Sequence, residues 1–241
     1  MASIVSDADA KRNFFDETIM RFKIDCNKEK ITTEIINSVY ELFKNNVIAD
    51  IDIKADNEIF FVMCGTYYNE KNDHENELKW FTLATEFGNT YGMYKIGDYY
   101  QYIKQDNKTA VEYYDRAAQF DNTIALNKLA ECYKYGKGVK KDDDEALRLY
   151  EYSAGLGNTN AMVHVAHSYM QAANQNMPRA IELYQTASEL DNVYALYHLA
   201  SCYVSAIGVI ADKYKARQLY QRCMYLGDVP GGLASKKLLK T

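Results

Sequence analysis

This sequence has almost no proline, no closely spaced cysteine pair and no long apolar run. Two prolines and 12 glycines in 241 residues leave little material for a disordered linker. They also argue against an all-β fold, which uses turn residues at short intervals. The five cysteines (Cys26, Cys64, Cys132, Cys202, Cys223) are odd in number and widely spaced, with no CxxC. That usage fits a reducing compartment rather than a disulfide framework. No stretch reaches the roughly 18 consecutive apolar residues of a membrane span. The opening MASIVSDADAKRNFF lacks the basic region and apolar core of a secretory signal. A formal net charge of −5 gives no basic footprint for nucleic acid. The expectation is a cytoplasmic protein with no membrane or nucleic-acid partner and no cofactor.

What the chain has in excess is tyrosine, 22 residues of it. Together with abundant Asn and Lys this points to an AT-rich genome, such as that of an intracellular parasite or large virus. The tyrosines recur with a period. Tyr68, Tyr100, Tyr133, Tyr169 and Tyr203 close the motifs GTYY, GDYY, AECY, AHSY and ASCY, 32, 33, 36 and 34 residues apart. A small residue stands three positions earlier each time: Gly65, Gly97, Ala130, Ala166, Ala200. Such self-similarity is the signature of stacked supersecondary units. Within a unit, Ala125, Leu129, Cys132 and Tyr133 trace one helical stripe, which makes Tyr133 and Tyr169 expected core residues. A second helix follows, with stripes Leu78/Phe81/Ala84, Ala110/Tyr114/Ala117, Ala146/Tyr150/Ser153, Ala180/Tyr184/Ala187 and Ala216/Tyr220/Cys223.

Caps bound these helices. Asp73, Asp106, Asp142, Asn176 and Asp212 precede the second helices with side-chain oxygens suited to unpaired backbone N–H groups. Asp142-x-x-Glu145 has capping-box spacing, and Pro178 falls in a first turn, where its missing N–H costs little. Gly88, Asp121, Gly157, Asp191 and Gly227 end the pairs, and Asn89, Asn122, Asn158, Asn192 or Asp228 caps the next helix. Gly136-x-Gly138 before Lys140 and Lys141 admits a phosphate-cradle reading. Equivalent loops lose the lysines at Gly208-Val209 and lose glycine altogether in YQYIKQDNKTA, so the segment reads as a turn.

The pattern Y-x-x-G-x-G-V-x-x-D-x-x-x-A, then a helix and G-N-x-x-A, at 133–161 resembles the Sel1-like repeat, a branch of the tetratricopeptide-type helix-pair solenoids. The resemblance implies an all-α, right-handed α-solenoid of about five antiparallel helix pairs (approximately 57–89, 90–122, 123–158, 159–192 and 193–228). It also implies an adaptor or scaffold role, not an enzyme. Residues 1–56 do not match the repeat. Phe15, Ile19 and Phe22 mark one helix there, Ile31 (or Ile35), Ile36, Val39, Tyr40 and Phe43 a second, and 48–56 alternates like an extended connection. This region reads as an N-terminal helical cap, and 230–241 as a C-terminal capping helix.

In this family type the first helices line the concave surface, so the resemblance directs attention to the first-helix residues left outside the packing stripe. Tyr94, Lys95, Asn127, Lys128, His164, His167, Tyr197 and His198 lie two, three or six positions past a packed small residue and are the candidates for partner binding. Lys128 has Glu131 three residues on, a local ion pair. Lys and His favour an acidic partner segment, bound more tightly at mildly acidic pH if the histidines titrate normally. Two other readings stand beside this one: an assembly protein that self-associates through its ends, and a metal-binding solenoid using His164, His167 and His198, which has three ligands but lacks a fourth. The sequence names neither the partner nor the oligomeric state.

Overall fold

The computed structural model describes residues 54–171 and 176–227, with side chains from Phe61 onward. These residues are helical, with no strand among them: α1 (Lys54–Glu70), α2 (His74–Glu86), α3 (Thr90–Asp98), a π-helical turn (Tyr99–Ile103), α4 (Asn107–Ala118), α5 (Thr123–Tyr135), α6 (Asp143–Gly155), α7 (Thr159–Gln171), α8 (Met177–Glu189), α9 (Val193–Ser205) and α10 (Lys213–Leu226). The architecture is an all-α solenoid of successive helix pairs. The expected caps over 1–56 and 230–241 lie outside the described residues, except that Lys54–Asp56 already belong to α1. The end of the expected extended connection is therefore helix. Among the described residues no helix is long and apolar enough to cross a membrane.

The chain divides into two compact units, 1–99 and 100–241. In the first, α1 packs on α2 and α2 on α3 around Phe61, Trp80, Phe81 and Ala84. The expected second-helix stripe here holds at Phe81 and Ala84 and differs only at its first position. Glu77, only 4% exposed, occupies the position of Ala110, Ala146, Ala180 and Ala216, and Leu78 lies beside it, half-buried. Its carboxylate is held by Asn69 Nδ2 at 2.6 Å and His74 Nδ1 at 2.8 Å. Those bonds offset the cost of burying a charge.

In the second unit, α4 to α10 pack in succession, and the first helices α7 and α9 also touch directly. The core follows the alanine stripe: Ala117, Ala125, Ala161, Ala187 and Ala195 are fully buried. Tyr114, Tyr150, Tyr184 and Tyr220 of the second helices fill the remaining volume. Tyr133 and Tyr169, expected in the core, are only half-buried. The second-helix tyrosines stand mid-helix, where neighbouring first helices cover them, as His164 covers Tyr150, whereas Tyr133 stands in the last turn of α5.

One backbone bond recurs at the cap of every described second helix. The amide of the cap donates to the carbonyl of the preceding tyrosine: Asp73 to Tyr68 (3.0 Å), Asp106 to Tyr100 (2.9 Å), Asp142 to Tyr133 (3.0 Å), Asn176 to Tyr169 (3.1 Å) and Asp212 to Tyr203 (3.1 Å). The cap side chains also behave as expected; Asp142 Oδ1, for example, accepts from the amides of Asp144 and Glu145. The capping box does not close. Glu145 instead takes a bidentate pair from Arg148 at 2.8 and 2.6 Å, since the Asp142 amide is already satisfied.

The second helices end as the sequence implies. Gly88, Asp121, Gly157 and Asp191 have φ of 87, 59, 92 and 60°, and the following asparagine amide closes on the carbonyl five residues back, as Asn158 does on Ser153 at 3.1 Å. The 136–141 segment is a turn. Gly136 has φ 66° and Gly138 φ 75°, and a side chain at Gly138 would collide with the Asn107 carbonyl. Close packing on the start of α4 explains that glycine, and the Asp142 carboxylate already occupies the amides that a phosphate would need.

Candidate functional site: the ring face of α7 and α9

The eight candidate residues have different surroundings. Tyr94 and Lys95 belong to α3, in the first unit. There Lys95 Nζ lies 5.6 Å from the ring centroids of both Tyr91 and Tyr94, which are 5.6 Å apart in a T-shaped pair. On α5, Lys128 is engaged by its own chain: Tyr102 Oη at 2.9 Å, the Tyr102 ring at 5.2 Å and Glu131 at 3.9 Å. Asn127 Nδ2 donates to Asn158 Oδ1 at 3.0 Å, which ties α5 to the cap of α7. Its Oδ1 is buried without a hydrogen-bond partner.

The other four converge. His164 lies flat on Tyr150 of α6, with centroids 4.5 Å apart and planes at 23°. One repeat on, His198 lies on Tyr184 of α8 in the same way, at 5.5 Å and 20°. His167, exposed, meets His198 at 5.5 Å. Tyr197 meets His198 at 5.5 Å and Tyr220 of α10 at 5.8 Å. The arrangement arises from repeat register: Tyr150 and Tyr184 each support the histidine three positions past the buried alanine of the next first helix. A single-helix pattern does not carry that pairing, so the sequence marked the histidines but not the tyrosines beneath them.

Burial sets the charge of this cluster. The His164 imidazole is pushed down to about 4 by desolvation, with Lys134 and His167 adding to the effect. His198 is lowered by desolvation and by His167. The expectation of normally titrating histidines therefore fails for these two, because each is half-buried against a tyrosine ring. Tyr150 is pushed in the other direction, chiefly by burial, and its hydroxyl has no hydrogen-bond partner. Among the described residues no three His, Cys, Asp or Glu side chains are grouped to hold a metal ion. The rings stack on tyrosines instead of converging on a point.

A helix-pair solenoid with capped, tyrosine-filled repeats defines a class of repeat protein, and comparison with known proteins names it. A model of the Sel1 repeat family matches residues 90–119, 123–158, 159–192 and 193–227; the chain belongs to the Sel1 repeat family. Among solved structures it is similar to a Sel1 repeat protein from Oxalobacter formigenes, with a TM-score of 0.69 and 21% identity over 89% of this chain and 86% of that one. It is also similar to c5321, a protective antigen of uropathogenic Escherichia coli with an SLR fold (TM-score 0.66, 22% identity, 83% of this chain and 43% of that one). A third likeness is to immunity protein Pa5087 from Pseudomonas aeruginosa (TM-score 0.53, 18% identity, 94% and 84%). At these identities the likeness is one of fold. No curated protein sequence matches the chain.

Proposed function

We propose that this protein is a non-catalytic interaction scaffold whose α7–α9 face binds a peptide or a segment of a protein partner in the groove of the solenoid. Sel1 repeat folds are in general protein–protein interaction scaffolds, which supports the coarse reading. One observation carries the finer one. The two 13-residue helices α7 and α9 contain no Asp, Glu, Lys or Arg at all, yet they expose or half-expose His164, His167, Tyr197 and His198, the last three in ring contact with one another through His198. Tyrosine offers large contact area at low entropic cost, and depletion of charge marks the centre of interfaces. The helix pair α1–α2 is read as a further repeat ahead of the four matched ones, because it shares the cap-to-tyrosine bond.

The test is selection of a random linear peptide library against the full chain, followed by binding to variants. Peptides that use this face lose affinity with Tyr197→Leu and with His167→Ala, and keep it with Glu112→Ala and Gln218→Ala on second helices. Selected peptides indifferent to both face variants count against the proposal. A second reading, self-association through the end of the array, is favoured by Ile210 and Tyr225, each 90% exposed beside α10 and at its end. Sedimentation across micromolar concentrations separates it from a monomeric binder.

A further inference from the structure

The binding-face reading leaves the partner's chemistry open, and the repeat register speaks to it. The row that holds Lys95 on α3 and Lys128 on α5 holds His164 on α7 and His198 on α9. Both lysines lie over tyrosine rings of their own chain, at 5.2 to 5.6 Å from the centroids. This pairing is the habit of the protein's surface. Lys71 lies over Tyr67, Arg116 over Tyr113, both Lys134 and Lys137 over Tyr135, and Lys215 over Tyr203 at 4.9 Å. A cation above an aromatic face gains energy from the ring quadrupole. Among the described residues no Lys or Arg is seated on the Tyr197 ring, and neither α7 nor α9 has one to supply.

We infer that the α7–α9 face takes an arginine- or lysine-bearing segment of a protein partner, with the cation seated on the His167–His198–Tyr197 rings where earlier repeats seat their own lysine. This rests on the binding-face proposal above. The seat lies at the His198 end of the cluster, because Lys134 sits close enough to His164 to disfavour a second positive charge there. Burial keeps His164 and His198 uncharged near neutral pH, so these two imidazoles do not repel an incoming cation. The same neutrality removes their attraction for an acidic segment, which would meet ring faces whose quadrupole disfavours it. On the neighbouring second helices, Arg179 of α8 pairs with Glu182 at 2.7 Å, and Arg222 of α10 pairs with Asp191 at 2.6 Å.

The experiment titrates the full chain at pH 7.5 with N-acetyl-arginine-N-methylamide and, separately, N-acetyl-glutamate-N-methylamide, and follows the ring resonances of the histidines and tyrosines by NMR. The arginine compound is expected to shift the His167, His198 and Tyr197 signals saturably. The glutamate compound should bind at least roughly tenfold more weakly. Tyr197→Leu, or His167→Ala if the first variant folds poorly, should abolish the arginine response. Equal or tighter binding of glutamate, or arginine shifts scattered over the surface, overturns the inference. The library test separates the two levels. Peptides that map to this face but are acidic or uncharged leave the binding face standing and remove the cation; peptides that map elsewhere remove both.

Discussion

The ring of His164 lies against that of Tyr150 with centroids 4.5 Å apart, so a titratable group sits where proton uptake is opposed by burial. Its pKa is about 4 in the fold, whereas an unfolded histidine titrates near 6.5. The unfolded state therefore takes the proton first, and stability falls as pH drops from about 6.5 toward 4. Between pH 7.5 and 5.5 the loss at this site is about 1 kcal/mol, discounted for the partly open ring. His198 acts in the same direction. Urea midpoints measured across this range should show the fall in the parent protein and a flatter profile in His164→Gln.

The second-helix tyrosines give a paired hydroxyl test. Tyr114 Oη donates to Gln101 Oε1 at 3.2 Å, while the buried Tyr150 hydroxyl has no partner. Tyr114→Phe should cost about 1 kcal/mol, and Tyr150→Phe should be neutral or stabilising by a similar amount. A Tyr150→Phe loss as large as that of Tyr114→Phe, read from denaturation midpoints, would reveal a partner for that hydroxyl.

Truncation distinguishes the two kinds of tyrosine. Tyr184, fully buried, should cost roughly 3–5 kcal/mol when cut to alanine. Half-buried Tyr133 should cost clearly less, although its helix position recurs as faithfully. Equal midpoints for the two variants would contradict the packing described.

Backbone strain is placed where a repeat has exchanged its glycine. Ala206, at φ 55°, stands where Gly136 ends α5, and its amide closes on Cys202 as that of Gly136 closes on Cys132. Ala206→Gly should stabilise the chain by about 0.5–1 kcal/mol, since glycine occupies the left-handed region without strain. Gly138→Ala should do the opposite, and more strongly, because the new methyl meets the Asn107 backbone. Thermal midpoints of the two variants should move in opposite directions.

The Glu77 cluster predicts an inversion of intuition. Asn69→Ala takes one hydrogen bond from a buried carboxylate and should destabilise by about 3 kcal/mol, whereas Asn69→Ala/Glu77→Ala, which installs the residue used by the other repeats, should recover most of that loss. A double variant as unstable as the single one would mean that Glu77 is needed for more than its hydrogen bonds.

The repeats, caps and left-handed helix ends were legible because each is a local event: Asn158 caps α7 with its own side chain, and Asp191 turns the chain with its own φ. The first stripe position of α2 differs from the sequence reading because the first unit has Glu77 where the other repeats have alanine, and Leu78 beside it imitates the apolar stripe. The histidines were found as a row, but their charge was misjudged. What lowers the His164 pKa is chiefly burial, and the Tyr150 ring that lies against it belongs to a different helix pair, so spacing along α7 carries little information about the shift. Tyr133 was over-read for a related reason: recurrence reports position in the repeat, and burial depends on which neighbour comes to cover it.

The bond from cap amide to tyrosine carbonyl keeps its length within 2.9–3.1 Å although the stretch it closes is four residues in 69–72, five in 101–105, six in 170–175 and eight in 134–141 and 204–211. Each connection is thus a clasped ring of adjustable circumference. A graft inserted inside the clasp beyond the packed Gly138, between the exposed Lys140 and Lys141 for instance, alters the ring and leaves the gauge of the helix pairs untouched. The repeat can carry new sequence there without re-spacing the surface that α7 and α9 present.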